Sequence, residues 1–214
     1  DELKNFLEKY KLNSDVKIKD ISGKYVVGVI SNEKFEEIKK EENKSTQTVI
    51  FRSSPFFEDP RSKKLGSRVL SNLEKLYLTI KKLSLKIEDD KNYLNLAHEA
   101  GVPVKNLKKL QNNLFGLEAN FEQLSAIDFK KGCYIGQENT ARMKLKNKLR
   151  KKLLPLISQE NLEVGSDITL NGNLIGKLLI ANPYPFGLIN IFDKKVSDLR
   201  NKEVLVGKQK AKII

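Results

Sequence analysis

One stretch of the chain gathers groups that can do chemistry: Lys131-Gly132-Cys133-Tyr134-Ile135-Gly136-Gln137-Glu138. It holds a thiol, the cations Lys130 and Lys131 just before it, an amide and a carboxylate. The thiolate is the reactive form of cysteine, and positive charge, or a helix beginning near Tyr134, favours it over the thiol. Gly132 and Gly136 bracket Cys133, which opens backbone conformations closed to other residues and lets a ligand approach closely. Spacing alone leaves two readings open, a working thiol or a structural Gly–Cys turn leading into a strand. No Ser/His/Asp or metal-ligand pattern supports catalysis, and no resident metal is expected. Cys133 is the single cysteine, which excludes an internal disulfide and a cysteine-only metal cage and suits a reducing compartment.

Other charged groups are less specific. Arg142, Lys144, Lys146, Lys148 and Arg150 alternate with Met143, Leu145, Asn147 and Leu149. Period two predicts a strand with its cations on one face, either an anion site or, the commoner case, a solvated edge blunted by lysine. His98, among Leu94, Leu96, Ala97 and Ala100, has no second His or Cys at ligand spacing and is expected to be structural or superficial. The formal charge of +13 attracts phosphate, but Arg supplies only six of the 40 basic side chains. Arg is the residue that reads phosphate and guanine bidentately, so nucleic acid is a partner to consider rather than the favoured one.

The elements that must position these groups follow from periodicity. The chain of 214 residues allows one large domain or two modest ones, and no apolar run approaches the roughly 20 residues of a membrane helix. No basic-then-apolar leader opens it, and it begins on Asp1 rather than Met, which leaves room for an upstream start. Leu3, Phe6, Leu7 and Tyr10 have helical spacing, and Val16, Ile18 and Ile21 alternate as a strand would. After a turn at Ser22-Gly23, residues 25–30 read as a buried strand, Ser31 as the cap of a helix with Phe35 and Ile38 inside, and residues 48–51 as another strand. Residues 53–70, interrupted by Pro55, Pro60 and Gly66, are expected to be irregular. Leu73, Leu76, Tyr77, Ile80, Leu83 and Ile87 fit one helical face, although Leu83, Leu85 and Ile87 also alternate. A second helix over about 89–100 should stop at Gly101-Val102-Pro103. Beyond Lys152, short apolar runs separated by glycine, proline and the hairpin signal Asn171-Gly172 predict a small β-barrel or sandwich over 148–214.

The turn at residues 131–138 resembles the K-G-C-Y-x-G-Q-E signature of the YgfZ family, relatives of the glycine-cleavage T-protein, an aminomethyltransferase. Leu117-Glu118-Ala119-Asn120-Phe121-Glu122 resembles the family's Glu-x-Asn element, and Ala126-Ile127-Asp128-Phe129-Lys130 the run into the signature. Gly101-Val102-Pro103 is similar to its Gly-Ile-Pro, Asp59-Pro60-Arg61 with Gly66 and Arg68 to its D-P-R…G-x-R, and Ala141-Arg142 to the signature's tail. The resemblance implies an α+β, T-protein/YgfZ-like fold of several subdomains around a central opening. Residues 1–52 would form a partial, ferredoxin-like α+β subdomain, 53–147 the α+β subdomain with the signature, and 148–214 a small C-terminal β-barrel.

It also implies an accessory protein, binding tetrahydrofolate or a derivative, that helps to mature or repair 4Fe-4S client enzymes, tRNA-modifying ones included. Lys131 and Cys133 fall on the positions the family relies on, and Tyr93 where members place a folate-contacting Trp. Tyr134, Gln137, Glu138 and Arg142 complete the expected folate-binding set. Family members carry a further N-terminal segment, with another folate-contacting aromatic, before the point where Asp1 aligns, so the chain is either a fragment or a shortened member. The alternatives are a folate-dependent aminomethyltransferase, against which the cysteine signature argues because the T-protein lacks it, and an RNA-binding module. An enzyme in the ordinary sense is not expected. The expected compartment is bacterial cytoplasm, or the mitochondrial matrix in a eukaryote.

Overall fold

A computed structural model of the chain describes residues 2–146, 149–191 and 195–214. The chain forms two compact units, Asp1–Asp59 with Gly66–Glu88, and Pro60–Leu65 with Asp89–Ile214.

The first unit is built on an antiparallel sheet of β1 (Val26–Ile30), β2 (Thr48–Phe51), β3 (Ser54–Glu58) and β4 (Ser67–Ser71), in the order β1-β4-β3-β2. Besides α1 (Glu2–Tyr10), it carries α2 (Asn32–Glu41) and α3 (Leu73–Lys82). Both of the latter begin on side-chain caps: Ser31 Oγ accepts from the Lys34 N–H at 3.3 Å, and Asn72 Oδ1 from the Lys75 N–H at 2.8 Å. Phe35 and Ile38 of α2 pack with Val49, Phe51, Phe56 and Val69 of the sheet, and Leu76 of α3 joins them. Burying each such side chain contributes about 1.5–3 kcal/mol, so the cluster together outweighs the two caps at about 0.5–2 kcal/mol each.

Several expectations fail in this unit. Residues 53–70 are not irregular, since they contain β3 and β4. Arg52 and Ser53, both at positive φ, close the β2–β3 hairpin without the glycine or Asn-Gly that would advertise it. Pro55 is tolerated because pairing with β4 begins only at Phe56. Val16, Ile18 and Ile21 form no strand; β1 ends the sheet, and Val16 and Ile21 are exposed. The α3 face stops at Lys82, which leaves Leu85 and the exposed Ile87 outside the helix.

The second unit contains α4 (Lys91–Glu99), which ends before Gly101 at φ +73°, α5 (Gln137–Leu145) and a closed barrel. The barrel strands are β5 (Lys151–Ile157), β6 (Asp167–Leu170), β7 (Asn173–Ile180), β8 (Phe186–Asn190), β9 (Glu203–Val206) and β10 (Gln209–Ile213), with the short α6 (Val196–Leu199) between β8 and β9. They close in the order β10-β5-β8-β7-β6-β9, all antiparallel. Leu156, Ile168, Leu178, Ile189 and Val206 are wholly buried in its core. The expected barrel is present, and Asn171 (φ +52°) with Gly172 (φ +79°) forms the β6–β7 turn as the Asn-Gly pair predicts.

The strand expected over 142–150 is corrected. Residues 142–145 belong to α5, and Asn147 and Lys148 lie outside the described residues. The run Glu138 to Leu145 is rich in good helix formers, and this preference outweighs a period-two pattern that has no partner strand.

Candidate functional site

Residues 111–136 form neither helix nor strand, so their position depends on individual hydrogen bonds. The Glu-x-Asn element supplies the anchors. Asn120, buried and in the left-handed region at φ +62°, donates from Nδ2 to the Leu153 carbonyl of β5 at 2.7 Å. The Leu153 N–H donates in return to the Glu118 carbonyl at 2.8 Å. Glu118 Oε2 accepts from the Phe115 N–H at 2.9 Å, which makes this carboxylate a loop staple. The Ala126 N–H then donates to the Phe121 carbonyl at 2.7 Å, and Asp128 Oδ1 accepts from the Lys130 N–H at 2.8 Å.

The cysteine turn follows. Gly136, at φ +85°, is the residue that caps α5, a conformation few side-chain-bearing residues accept. Gly132 does not use a left-handed conformation, and a Cβ there would meet open space, so neither backbone nor packing requires glycine at this position. Gln137 Oε1 accepts from the Tyr134 N–H at 3.2 Å and the Gln137 N–H donates to the Tyr134 carbonyl at 3.3 Å, tying the turn to the helix. Lys131 Nζ lies 4.3 Å from the Tyr134 ring centroid, a cation–π contact. Cys133 is free and exposed, and α5 starts four residues after it rather than at Tyr134. Ile135 is 92% exposed. Glu138 and Arg142, one helical turn apart on α5, are also exposed.

Of the residues singled out in the sequence, Lys131, Cys133, Tyr134 and Gln137 therefore share one turn, with Glu138 and Arg142 on the helix that follows. Tyr93 belongs to a different setting on α4. Its hydroxyl accepts from Arg61 Nη2 at 2.8 Å, and its half-buried ring packs against the Leu65–Ala97–Val102 cluster. In the first unit, Arg68 Nε donates to the buried Asp59 Oδ2 at 2.8 Å, and the Asp59 N–H reaches the Gly66 carbonyl at 3.2 Å. The D-P-R…G-x-R residues thus include a partly buried ion pair, with Asp59 buried and Arg68 half-buried, that closes a loop.

His98 is buried, as a structural role requires. Its Nε2 donates to the Pro185 carbonyl at 2.9 Å between the Tyr184 and Phe186 rings, and burial holds its pKa below the ordinary value. Sequence reasoning quoted Glu122 only as part of the Glu-x-Asn stretch and missed its electrostatic link to Lys152. The Lys152 ammonium on β5 is pressed toward its neutral form by burial, and the nearby Glu122 carboxylate opposes that. No local pattern joins Glu122 to a residue on a later strand. Among the described residues no group of three His, Cys, Asp or Glu is placed to hold a metal ion, and no helix is long and apolar enough to cross a membrane.

No family model matches the chain. It is 30% identical over 153 residues to the mitochondrial iron–sulfur cluster assembly factor IBA57 homolog of Dictyostelium discoideum, covering 71% of this chain and 37% of that protein. It is 38% identical over 98 residues to the tRNA-modifying protein YgfZ of Buchnera aphidicola, covering 43% and 30% respectively. With the mitochondrial IBA57 factor of Mus musculus it shares 31% over 98 residues, 46% of this chain and 26% of that one. The chain spans 37% or less of the length of these relatives. Among solved structures, the aminomethyltransferase T of the glycine cleavage system from Bartonella henselae has a similar fold, with a TM-score of 0.51 and 13% identity over 100% of this chain and 64% of that one. The chain is thus similar in sequence to IBA57 factors and to YgfZ over part of their length, and similar in fold to a T-protein, ending in a closed barrel.

Proposed function

We propose that this protein is an accessory factor in the maturation or repair of iron–sulfur enzymes, tRNA-modifying clients included, and that Cys133 is its working thiol. The observation that carries the reading is the presentation of Cys133: a lone thiol, exposed in a turn set by Gly136 and followed by a helix, with Lys131 held over Tyr134 two residues away. The names of its relatives, an iron–sulfur cluster assembly factor and a tRNA-modifying protein, supply the class of process. Clusters are typically held by four cysteine ligands. One cysteine provides one sulfur, so the cluster is cargo shared with a client or a second chain rather than a resident group. The aminomethyltransferase alternative rests on fold likeness alone.

Tetrahydrofolate or a derivative is the ligand that the family resemblance brings. Lys131 and Arg142 are cations suited to the carboxylates of its glutamate tail, and Tyr134, Gln137 and Glu138 stand beside them. The pterin end fits less well, because Tyr93 already spends its hydroxyl on Arg61 and packs its ring on the Leu65 cluster. No chemical step is assigned to the folate. Cytoplasm or mitochondrial matrix follows the bacterial and mitochondrial relatives.

The test is rescue of iron–sulfur-dependent tRNA methylthiolation in cells lacking their own factor. Wild type should restore the modified nucleoside, Cys133→Ala should fall at least about tenfold short, since a thiolate sulfur has no substitute in alanine, and Lys131→Ala should be intermediate. Equal rescue by wild type and Cys133→Ala would remove the thiol from the mechanism. No rescue by any version would remove the maturation reading.

A further inference from the structure

The turn that presents Cys133 is exposed and made of few contacts, yet a thiol that must meet a partner's sulfur or metal needs a defined direction. Its two hydrogen bonds to Gln137 set the turn's shape and say nothing of its attachment to the rest of the unit. A second set of contacts does. Lys144, two turns along α5 from Gln137, donates from Nζ to Glu122 Oε1, and the same Nζ lies 5.0 Å from the centroid of the Phe129 ring. Phe129 precedes the Lys130-Lys131-Gly132-Cys133 run, and Glu122 follows the Asn120 that is hydrogen-bonded to β5. The Glu122 charge also favours the charged form of Lys152 on β5, against the effect of burial.

We propose that Lys144 is the positioning residue of the cysteine turn, a clamp that fastens both flanks of the turn to the barrel through Glu122 and Phe129. The path is continuous and physical. Leu153 of β5 holds residues 118–120 by paired hydrogen bonds, Glu122 extends from that anchored segment, Lys144 grips Glu122 from the helix after the cysteine, and its ammonium caps the ring before the cysteine. One cation thus joins three pieces of chain around the thiol. Both partners of the ion pair are partly exposed, at 45% and 37%. Such a pair is weak and salt-screened, too small to matter for global folding but sufficient to bias a loop between fixed and free. The consequence for cluster maturation rests on the reading of Cys133 given above; the clamp itself does not.

Because Cys133 is the only thiol, a nitroxide attached to it reports the turn's motion directly through its electron paramagnetic resonance line shape. Lys144→Met, which keeps the stem and removes the charge, and Glu122→Gln should each raise the fast-tumbling fraction roughly two- to fivefold, the range expected for losing one weak ion pair. Lys144→Arg, which keeps the charge and can still cover the ring, should retain the wild-type line shape. Raised salt should move the wild-type spectrum toward that of Lys144→Met. Thermal midpoints of all three variants should stay within about 3 °C of wild type. A wild-type line shape in both Lys144→Met and Glu122→Gln would overturn the clamp, as would an Lys144→Arg spectrum as mobile as that of Lys144→Met. Should Lys144→Met fail to fold, Glu122→Gln decides alone. The spectra are recorded without any client, so a failed rescue by wild type would sink the maturation reading and leave the clamp standing, whereas unchanged spectra would sink the clamp whatever the rescue shows.

Discussion

The barrel and the cysteine turn belong to the same compact unit, and they are built in opposite ways. In the barrel, Leu153, Leu156, Ile168, Leu178 and Ile189 have no exposed surface, and strand pairing closes the ring. In the turn, Cys133, Tyr134 and Ile135 are exposed and α5 buries no residue at all. Apolar burial therefore stabilises the barrel, while hydrogen bonds, two cation–π contacts and one ion pair shape the turn. Segments that must engage another molecule are drawn from the less stable end of a structure, because a side chain buried in a core cannot also be presented. The anchored stretch around Asn120 is where the two construction principles meet.

Three substitutions grade that contrast. Leu178→Ala removes a wholly buried side chain from the barrel core and should cost about 2–5 kcal/mol, read as a lower denaturant midpoint followed by a barrel signal. A cost below about 1 kcal/mol would mean that the barrel core is far looser than its burial indicates. Asn120→Ala sits at the junction; it strands the Leu153 carbonyl and should cost about 1–3 kcal/mol. It should also speed hydrogen exchange across residues 118–130 more than in β7, and uniform acceleration would place Asn120 in the barrel's own cooperative unit instead. Cys133→Ala should change stability by no more than about 0.5 kcal/mol, since the side chain is exposed. A larger loss would show that the thiol has a structural task and would erase the contrast at its centre.

Much of the barrel was legible in the sequence because its information is local. Apolar runs separated by glycine, proline and Asn171-Gly172 report strands and turns within a few residues of each other, and closing them into one small core needs no further signal. The α4 helix with its Gly101 stop and the Ser31 cap of α2 were legible for the same reason. The hairpin at Arg52-Ser53 was not, because neither residue type marks a positive φ. The run from Arg142 misled because alternation was read without asking whether a neighbouring strand existed to use it. The signature around Cys133 was readable as a pattern of residue types, but whether the thiol was buried or presented was not.

The sequence by itself determined the identity and spacing of the groups in the turn, the glycine that lets it cap a helix, and the local periodicities from which the barrel closes. Only the tertiary structure decided that Asn120 answers to Leu153, that Tyr93 answers to Arg61, and that Lys144 reaches both Glu122 and Phe129. The physical reason is range. Backbone preferences and hydrophobic periodicity act over a few residues and are written where they act, whereas a polar contact between distant segments exists only after burial of the cores has brought their backbones together.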